Sequence, residues 1–394
     1  MERVDVLVVG AGLAGLECAR RLAAGGAAVL LADGKADVGA SVHTTGIFVR
    51  RTLDDFPLPE DLLGPAVRHV TLYSPAGRAL HLVSPRTEFR VGRMAALYRR
   101  WLSAALQAGA TFAPATRFAA AEPAPAPRRA ATRVTLETRA GRRVVEARYV
   151  VGADGATSRV ASAFGLDRNR TFLVGVEDVH ADVPRGGPPE LHVFLDPRLA
   201  PGYIGWVVRD GEETHVGVAG QGARYRPGEA LDAFRARPPV CALLDAAGAP
   251  PLERRGGRIP VGGVLARIAS PRALLVGDAA GAVSPLTAGG LDPCLRLSAF
   301  AADVVLAFLR RGDAACLVPY SGTRFRARFL ARRWMRRLFG AVQHPLLLEL
   351  GFAALTRPPL RALAEHVFFG RGSFPDVALP ARRPLLLEEG PPLG

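Results

Sequence analysis

Val6-Leu7-Val8-Val9-Gly10-Ala11-Gly12-Leu13-Ala14-Gly15 decides the fold of this 394-residue chain. Four consecutive apolar residues have the pattern of a strand buried on both faces, as in a parallel sheet. A helix is predicted from Leu13 to about Ala24, and a second buried strand over 28–32, which makes a β-α-β unit. The glycines between strand and helix follow G-x-G-x-x-G. Gly10 permits the tight turn, Gly12 lets a pyrophosphate approach the backbone, and Gly15 allows close helix–strand packing. The helix N-terminus stabilises the anion. Asp33 closes the second strand at the spacing that accepts ribose hydroxyls. The chain therefore begins with a Rossmann-type dinucleotide-binding unit.

Working outward, the composition sets bounds. Apolar residues make up 49%, enough for a globular core. The formal charge of +15 invites a nucleic-acid reading. Lys35 is the only lysine, however, and no basic stretch interleaves with aromatics to stack bases, so no nucleic-acid partner is expected. Cys18, Cys241, Cys294 and Cys316 form no C-x-x-C pair and no zinc-spaced cluster, so no metal site is expected and a reducing, cytoplasmic setting fits. The run Val6–Val9 follows Asp5 and leads straight into the glycine loop, which reads as strand and not as signal peptide. No apolar run reaches the roughly 18–20 residues that span a bilayer.

Beyond the first unit, a hairpin is expected over 69–73 and 79–83 around Pro75-Ala76-Gly77, and a helix from about 93 to 108. A Pro/Ala-rich surface loop follows at 121–127. Alternating strands near 173–183, 191–195, 203–208 and 214–219 read as an antiparallel sheet covering a site. The buried-strand pattern returns at 273–276, and a long helix begins near Gly290. The expected class is α/β. A Rossmann-type domain (1–60, 90–165, 266–312) interleaves with an antiparallel-sheet substrate domain (61–89, 166–265). A helical C-terminal region (313–394) ends in a proline-rich stretch from Pro375.

Two further motifs carry chemistry. The first is Val151-Gly152-Ala153-Asp154-Gly155-Ala156-Thr157-Ser158-Arg159. The second is Leu274-Leu275-Val276-Gly277-Asp278-Ala279-Ala280-Gly281, followed by Ser284-Pro285-Leu286-Thr287-Ala288-Gly289-Gly290. An acidic residue at a strand end, such as Asp278, can bind a ribityl hydroxyl, although alone the segment also reads as a plain strand-to-helix turn. Glycines at a helix start aim N–H groups and the positive dipole end at an anionic flavin ring.

The three motifs in this order resemble the flavoprotein group that includes aromatic hydroxylases and geranylgeranyl reductases, over roughly residues 3–310. The resemblance implies non-covalent FAD, with Asp278 facing the ribityl chain and Pro285, Gly289 and Gly290 at the ring. It sets Arg93 along the cofactor, and Asp154 near the pyrophosphate and the adjoining helix.

Pro285-Leu286-Thr287-Ala288-Gly289-Gly290 is most similar to the geranylgeranyl reductase branch, which often carries Tyr-x-Trp-x-Phe-Pro on a strand over the flavin. Here Pro201-Gly202-Tyr203-Ile204-Gly205-Trp206-Val207-Val208-Arg209 keeps the tryptophan; Ile204 stands for Tyr, and Val208-Arg209 for Phe-Pro. Period-2 geometry puts Ile204, Trp206 and Val208 on one face, the expected substrate wall. Where the branch often has Arg-Cys-Gly, this chain has Val42-His43-Thr44-Thr45-Gly46, so His43 becomes the candidate proton donor or flavin attachment point.

The segment 324–338 is rich in arginine. Projected as one helix, its arginines spread over more than half the circumference, a poor amphipathic split. Peripheral membrane contact enters through the lipid substrate that the resemblance implies.

The expected activity is hydride exchange between FAD and an apolar, isoprenoid-type substrate. With no second G-x-G-x-x-G, NAD(P)H docks transiently or a protein supplies the electrons. A flavin monooxygenase or halogenase is one alternative, although Lys35 lies beside the ribose position and not where halogenation needs a lysine. An electron-transfer flavoprotein without organic turnover is the other.

Overall fold

The computed structural model describes residues 2–125, 131–181, 186–244, 250–327 and 329–370. The proline-rich stretch from Pro375 lies outside them, as do residues 126–127 of the expected surface loop, residues 182–183 of the expected strand, and Arg328.

Strand Glu2–Val9 is central to a seven-stranded sheet, and Val6 to Val9 are buried as the apolar run requires. Val29–Ala32 and then Thr111–Ala113 pair in parallel on one side. Gly141–Gly152 pairs in parallel on the other side, and Ala273–Leu275 returns to lie beside its end. Antiparallel Thr132–Thr138 and Arg117–Pro123 complete the sheet. Helix Leu13–Ala24 packs against helices Met94–Gln107 and Leu291–Arg311. Glu17 is buried on the first of these, where Arg20, Arg21 and the Trp101 Nε1–H satisfy its carboxylate.

The second seven-stranded sheet runs in the order Glu253–Pro260, Phe172–Ala181, Glu213–Gly220, Gly205–Arg209, Glu190–Phe194, His69–Tyr73, Ala79–Val83. Its pairs are antiparallel except Glu190–Phe194 with His69–Tyr73. That hairpin comes from a distant part of the chain, so its direction is not dictated by a tight turn. The strand expected over 203–208 starts at Gly205. Before it, Gly202 adopts φ +71° and Tyr203 N–H donates to Ala200 C=O, which makes a turn of Pro201-Gly202.

The arginine-rich segment is two helices, Gly322–Ala327 and Leu330–Ala341, with Phe329 outside both. Pro345–Leu355 and Pro358–Phe369 follow, each opening on a proline whose missing N–H is not needed there. Phe352 and Ala364 pack from these helices into the core beneath the second sheet, with Val70, Leu72 and Val193.

Candidate active site

Between the two sheets lies a cavity of about 1600 Å³. Ordinary small-molecule sites occupy roughly 300–1,000 Å³, so there is room for a dinucleotide and a second ligand.

At the nucleotide end the wall is backbone. Gly10 sits at φ +103°, and a Cβ there would stand 2.3 Å from the Ala153 carbonyl oxygen. A Cβ on Gly15 would stand 1.8 Å from the Gly10 carbonyl oxygen. These two glycines hold the turn together and do not line the cavity. Gly12 does line it, and a Cβ there would project into open space. Asp33, beyond the lining, accepts from Ala11 N–H at 2.6 Å and Lys35 N–H at 2.7 Å, fixing the fingerprint turn to the end of the second strand. Asp154 lines the cavity. It caps the short helix Arg159–Ala163, accepting from Ser158 Oγ and from the Arg159 and Val160 N–H groups.

Asp278 lines the cavity just after strand Ala273–Leu275. Among the described residues its carboxylate accepts no hydrogen bond, and burial raises its pKa to about 6. Its backbone carbonyl is held by Asn169 Nδ2 at 2.8 Å. A carboxylate lining a cavity without a protein partner is satisfied when a ligand hydroxyl reaches it. Gly289 and Gly290 line the same region at the start of helix Leu291–Arg311, whereas Pro285 lies just outside the lining. The open space over Gly12, the unpartnered Asp278 and the helix-start glycines fit FAD. Bound there, FAD supplies a two-electron carrier.

The far wall is a row of side chains across the second sheet. In register, Leu72, Val193, Trp206, Gly217, Glu177 and Arg255 follow one another over five strand pairings, on one face. The indole of Trp206 lies over Gly217, where a Cβ would stand 2.1 Å from its Cζ2. It reaches Glu177, donating from Nε1 to Oε2 at 2.9 Å. Ile204 also lines the cavity. Val208 does not: it shares their face but is buried in the core with Val67, Phe89 and Val91. The row thus passes from apolar at Leu72 to charged at Arg255.

Glu177 is the centre of that charge. Arg255 reaches its Oε1 through Nε at 2.9 Å and Nη2 at 2.7 Å, His215 Nδ1 lies 3.3 Å from the same oxygen, and Thr45 Oγ1 donates to Oε2. Burial pushes the Glu177 pKa up, but hydrogen bonding and charge from His215, then Arg255 and Thr45, outweigh it and hold the group at about 2. For His215, burial pulls downward, while Asp210 (Nε2–Oδ2, 3.4 Å) and Glu177 raise the pKa to about 9. Arg255 Nη2 approaches His215 Nδ1 to 3.0 Å, a meeting of two cations at neutral pH that Glu177 Oε1 neutralises between them. Asp210, Glu213 and His215 bring ligand-type atoms within 4.8 Å of one another. Asp210 is already used by the Glu212 and Glu213 N–H groups and by His215, which makes an ion-pair chain. None of Glu177, Arg255 and His215 was expected from the sequence. The available signal was a glutamate among alternating apolar residues of a strand, which becomes informative only once its face is known.

His43 lines the cavity next to Thr44 and Thr45. Burial, then the charge of Lys35, lowers its pKa against the opposing hydrogen bond to the Gly256 backbone, which favours the neutral ring. Arg93 departs from the expectation that it lies along the cofactor. Its guanidinium pairs with Glu212 at 2.9 Å and donates to the Asp61 carbonyl at 3.4 Å, outside the cavity lining. The Glu212 carboxylate, at the turn before Glu213–Gly220, draws it away, and Tyr98 lines the cavity from the same helix instead. The C-terminal helices, expected only as a tail, supply Met335, Phe339, Phe352, Leu355 and Phe368 to the wall.

The FAD binding domain family matches residues 3–328. Two proteins of Methanopyrus kandleri are similar to the chain. Digeranylgeranylglycerophospholipid reductase 2 is 29% identical over 92% of this chain and 89% of its own, and digeranylgeranylglycerophospholipid reductase 1 is 31% identical over 79% and 82%. A geranylgeranyl bacteriochlorophyll reductase-like structure from Thermoplasma acidophilum superposes with a TM-score of 0.79, at 20% identity over 94% of this chain and 98% of that one. Among the described residues, no helix is long and apolar enough to cross a membrane. With motif order, cavity and relatives in agreement, the chain belongs to the FAD binding domain family, and within it to the geranylgeranyl reductase-like oxidoreductases.

Proposed function

We propose that the protein saturates carbon–carbon double bonds of an isoprenoid lipid. The observation that carries this is the apolar arm of the cavity. Beyond the Asp278 region the wall is Leu72, Val193 and Trp206 on the sheet, faced by Phe352, Leu355 and Phe368 from the C-terminal helices. An extended hydrocarbon chain fits such a wall, whereas a polar metabolite would be desolvated against it without hydrogen-bond partners. The named activity of the Methanopyrus relatives points the same way.

In this reading Trp206 holds the double bond at the reacting position and excludes water. A hydride goes to one carbon and a proton to the other; the two electrons are restored by NAD(P)H docking transiently, or by a protein donor. Among the described residues His43 is the one imidazole in the wall, and it is the candidate route for the proton. FAD is held non-covalently by the residues around Gly12, Asp154, Asp278, Gly289 and Gly290. An apolar lipid substrate brings with it peripheral contact with a membrane from the cytoplasmic side. Halogenation is disfavoured because Lys35 Nζ is committed to the Ala40 and Ser41 carbonyls at 2.8 Å each. Electron transfer alone gives the apolar arm no role.

The test is anaerobic reduction of the FAD-loaded protein, followed by separate additions of polyprenyl lipids, quinones and air. Reoxidation by a polyprenyl lipid, with a mass gain of two hydrogens per bond, is the expected result. Rapid reoxidation by air alone, with hydroxylated or halogenated product, would overturn the reading.

A further inference from the structure

The poor amphipathic split of 324–338 disappears once the segment is seen as two helices. Within helix Leu330–Ala341, Leu330, Trp334 and Leu338 recur every fourth residue and so lie one above another on one face. They are 55%, 61% and 72% exposed. Helix Pro345–Leu355 adds Leu346, Leu347 and Leu350, at 67%, 57% and 69%. Six large apolar side chains, each more than half exposed, thus belong to two consecutive helices. Soluble surfaces rarely concentrate apolar area in this way without a partner.

Charge says what kind of partner. Arg333 and Arg337 repeat at the same four-residue spacing beside the apolar row, with the Arg337 guanidinium 5.0 Å from the Trp334 ring centroid. Across residues 322–370 the only acidic residues are Glu349 and Glu365, and Glu349 is buried, turned to Arg78 at 2.6 Å. An apolar row edged by arginine is suited to the interface of an anionic bilayer, where leucines enter the acyl boundary and arginines meet phosphates. The face is also continuous with the cavity: Leu338 is both exposed and part of the cavity wall, next to Met335, Val342 and Leu348.

We propose that helices Leu330–Ala341 and Pro345–Leu355 dock on an anionic lipid surface and that the apolar arm of the cavity opens into that contact. A hydrocarbon chain then moves from bilayer to reaction site without exposure to water. This rests on the lipid-substrate reading above, and it adds the surface, its orientation and its lipid charge preference.

The experiment is flotation of the FAD-loaded full chain with vesicles of phosphatidylcholine alone or with 30% phosphatidylglycerol. Wild type should float with the anionic vesicles, with Trp334 emission shifted to the blue, and much less with the neutral ones. L346S/L350S and R333E/R337E change residues outside the cavity wall. Each should lower anionic-vesicle binding by more than about tenfold, the first by removing apolar insertion and the second by reversing the charge that meets the phosphates. FAD content and melting temperature should stay at wild-type values. Equal binding of wild type to neutral vesicles, or undiminished binding of both variants, would overturn the proposal. So would concentration-dependent self-association through this face without vesicle binding. Reoxidation by a detergent-dispersed polyprenyl lipid is read separately. If it persists while flotation fails, the docking face is wrong and the reductase reading stands.

Discussion

At one end the cavity is walled by backbone: Gly12 of the fingerprint turn, the cap at Asp154 and the helix start at Gly290. At the other end it is walled by side chains that strands far apart in sequence bring into one row: Leu72, Val193, Trp206, Glu177 and Arg255. Backbone cradles tolerate almost no residue but glycine at a few positions, and their spacing is local. A side-chain wall tolerates many residues and is specified only by register. The two ends should therefore fail differently when altered.

The largest effect is expected at the cradle, where two glycines of one motif separate. Gly12→Val fills the open space over Gly12 and should abolish FAD binding while the apoprotein melts near wild type, because a Cβ there meets nothing within 4 Å. Gly15→Val drives a side chain into the Gly10 carbonyl and should destabilise the fold itself, by about 3 kcal/mol or more, before any question of cofactor. Denaturant melts and FAD titration on both variants make the measurement. A Gly12→Val protein that stays yellow would remove FAD from this cradle.

This contrast also explains what the sequence disclosed. The first unit was legible because turn chemistry, burial pattern and anion binding all act within thirty residues of one another. The hairpin of 69–83 and the long helix after Gly290 were legible for the same reason. The Glu177–Arg255–His215 cluster was not, since it pairs residues 78 and 38 positions apart whose common face follows from sheet register alone. The C-terminal helices read as a tail because their apolar pattern was blurred by the break at Phe329. Arg93 shows the opposite failure: a local match to a family position whose side chain turns elsewhere when an acidic partner stands nearby.

At the wall the expected losses are in stability and rate instead of cofactor content. Glu177→Gln leaves the partly buried Arg255 and the buried His215 without their shared anion and should cost about 3–5 kcal/mol. Its pH signature is specific. His215, raised to about 9 from the usual 6.5, contributes stability that is complete below 6.5 and lost as pH rises through 9. Glu177, held at about 2 against the usual 4.5, contributes stability that is complete above 4.5 and lost as pH falls through 2. Wild-type stability from this cluster should thus be level between 4.5 and 6.5. In the variant the alkaline loss should start from the same 6.5 but end at a lower pH and be smaller, because His215 keeps only Asp210 to raise it. Urea melts across pH that show the same alkaline limb in both proteins would mean the cluster is not coupled as drawn.

Trp206→Ala sharpens the contrast further. The indole lines the cavity and also lies over Gly217, so both functions lose something. Misplacement of substrate by about 1 Å should slow flavin reoxidation by ~10²-fold per bound flavin. FAD content should hold, since the cradle is elsewhere. The stability loss should sit at the low end of the roughly 3–5 kcal/mol of a fully buried tryptophan, because this one is only half-buried. A sharp fall in melting temperature with an unchanged per-flavin rate would make Trp206 a packing residue and move the substrate off this wall.

The smallest effect is expected where family resemblance and geometry disagree. If Arg93 lay along the cofactor, Arg93→Ala would weaken FAD binding, most strongly at low ionic strength. In the structure its guanidinium spans Glu212 and the Asp61 carbonyl, and neither partner lines the cavity. The pair is partly exposed, at 33% and 60%, so its removal should cost about 0.2–1 kcal/mol and leave the FAD dissociation constant where it was. Glu212→Ala supplies the control. It frees the arginine to turn toward the cavity, and should not weaken FAD binding in either case. A loss of FAD affinity in Arg93→Ala but not in Glu212→Ala would show that the arginine leaves Glu212 when the cofactor binds. A side chain that lies outside the lining in this structure would then belong to the cradle, and the cradle would not be built of backbone alone.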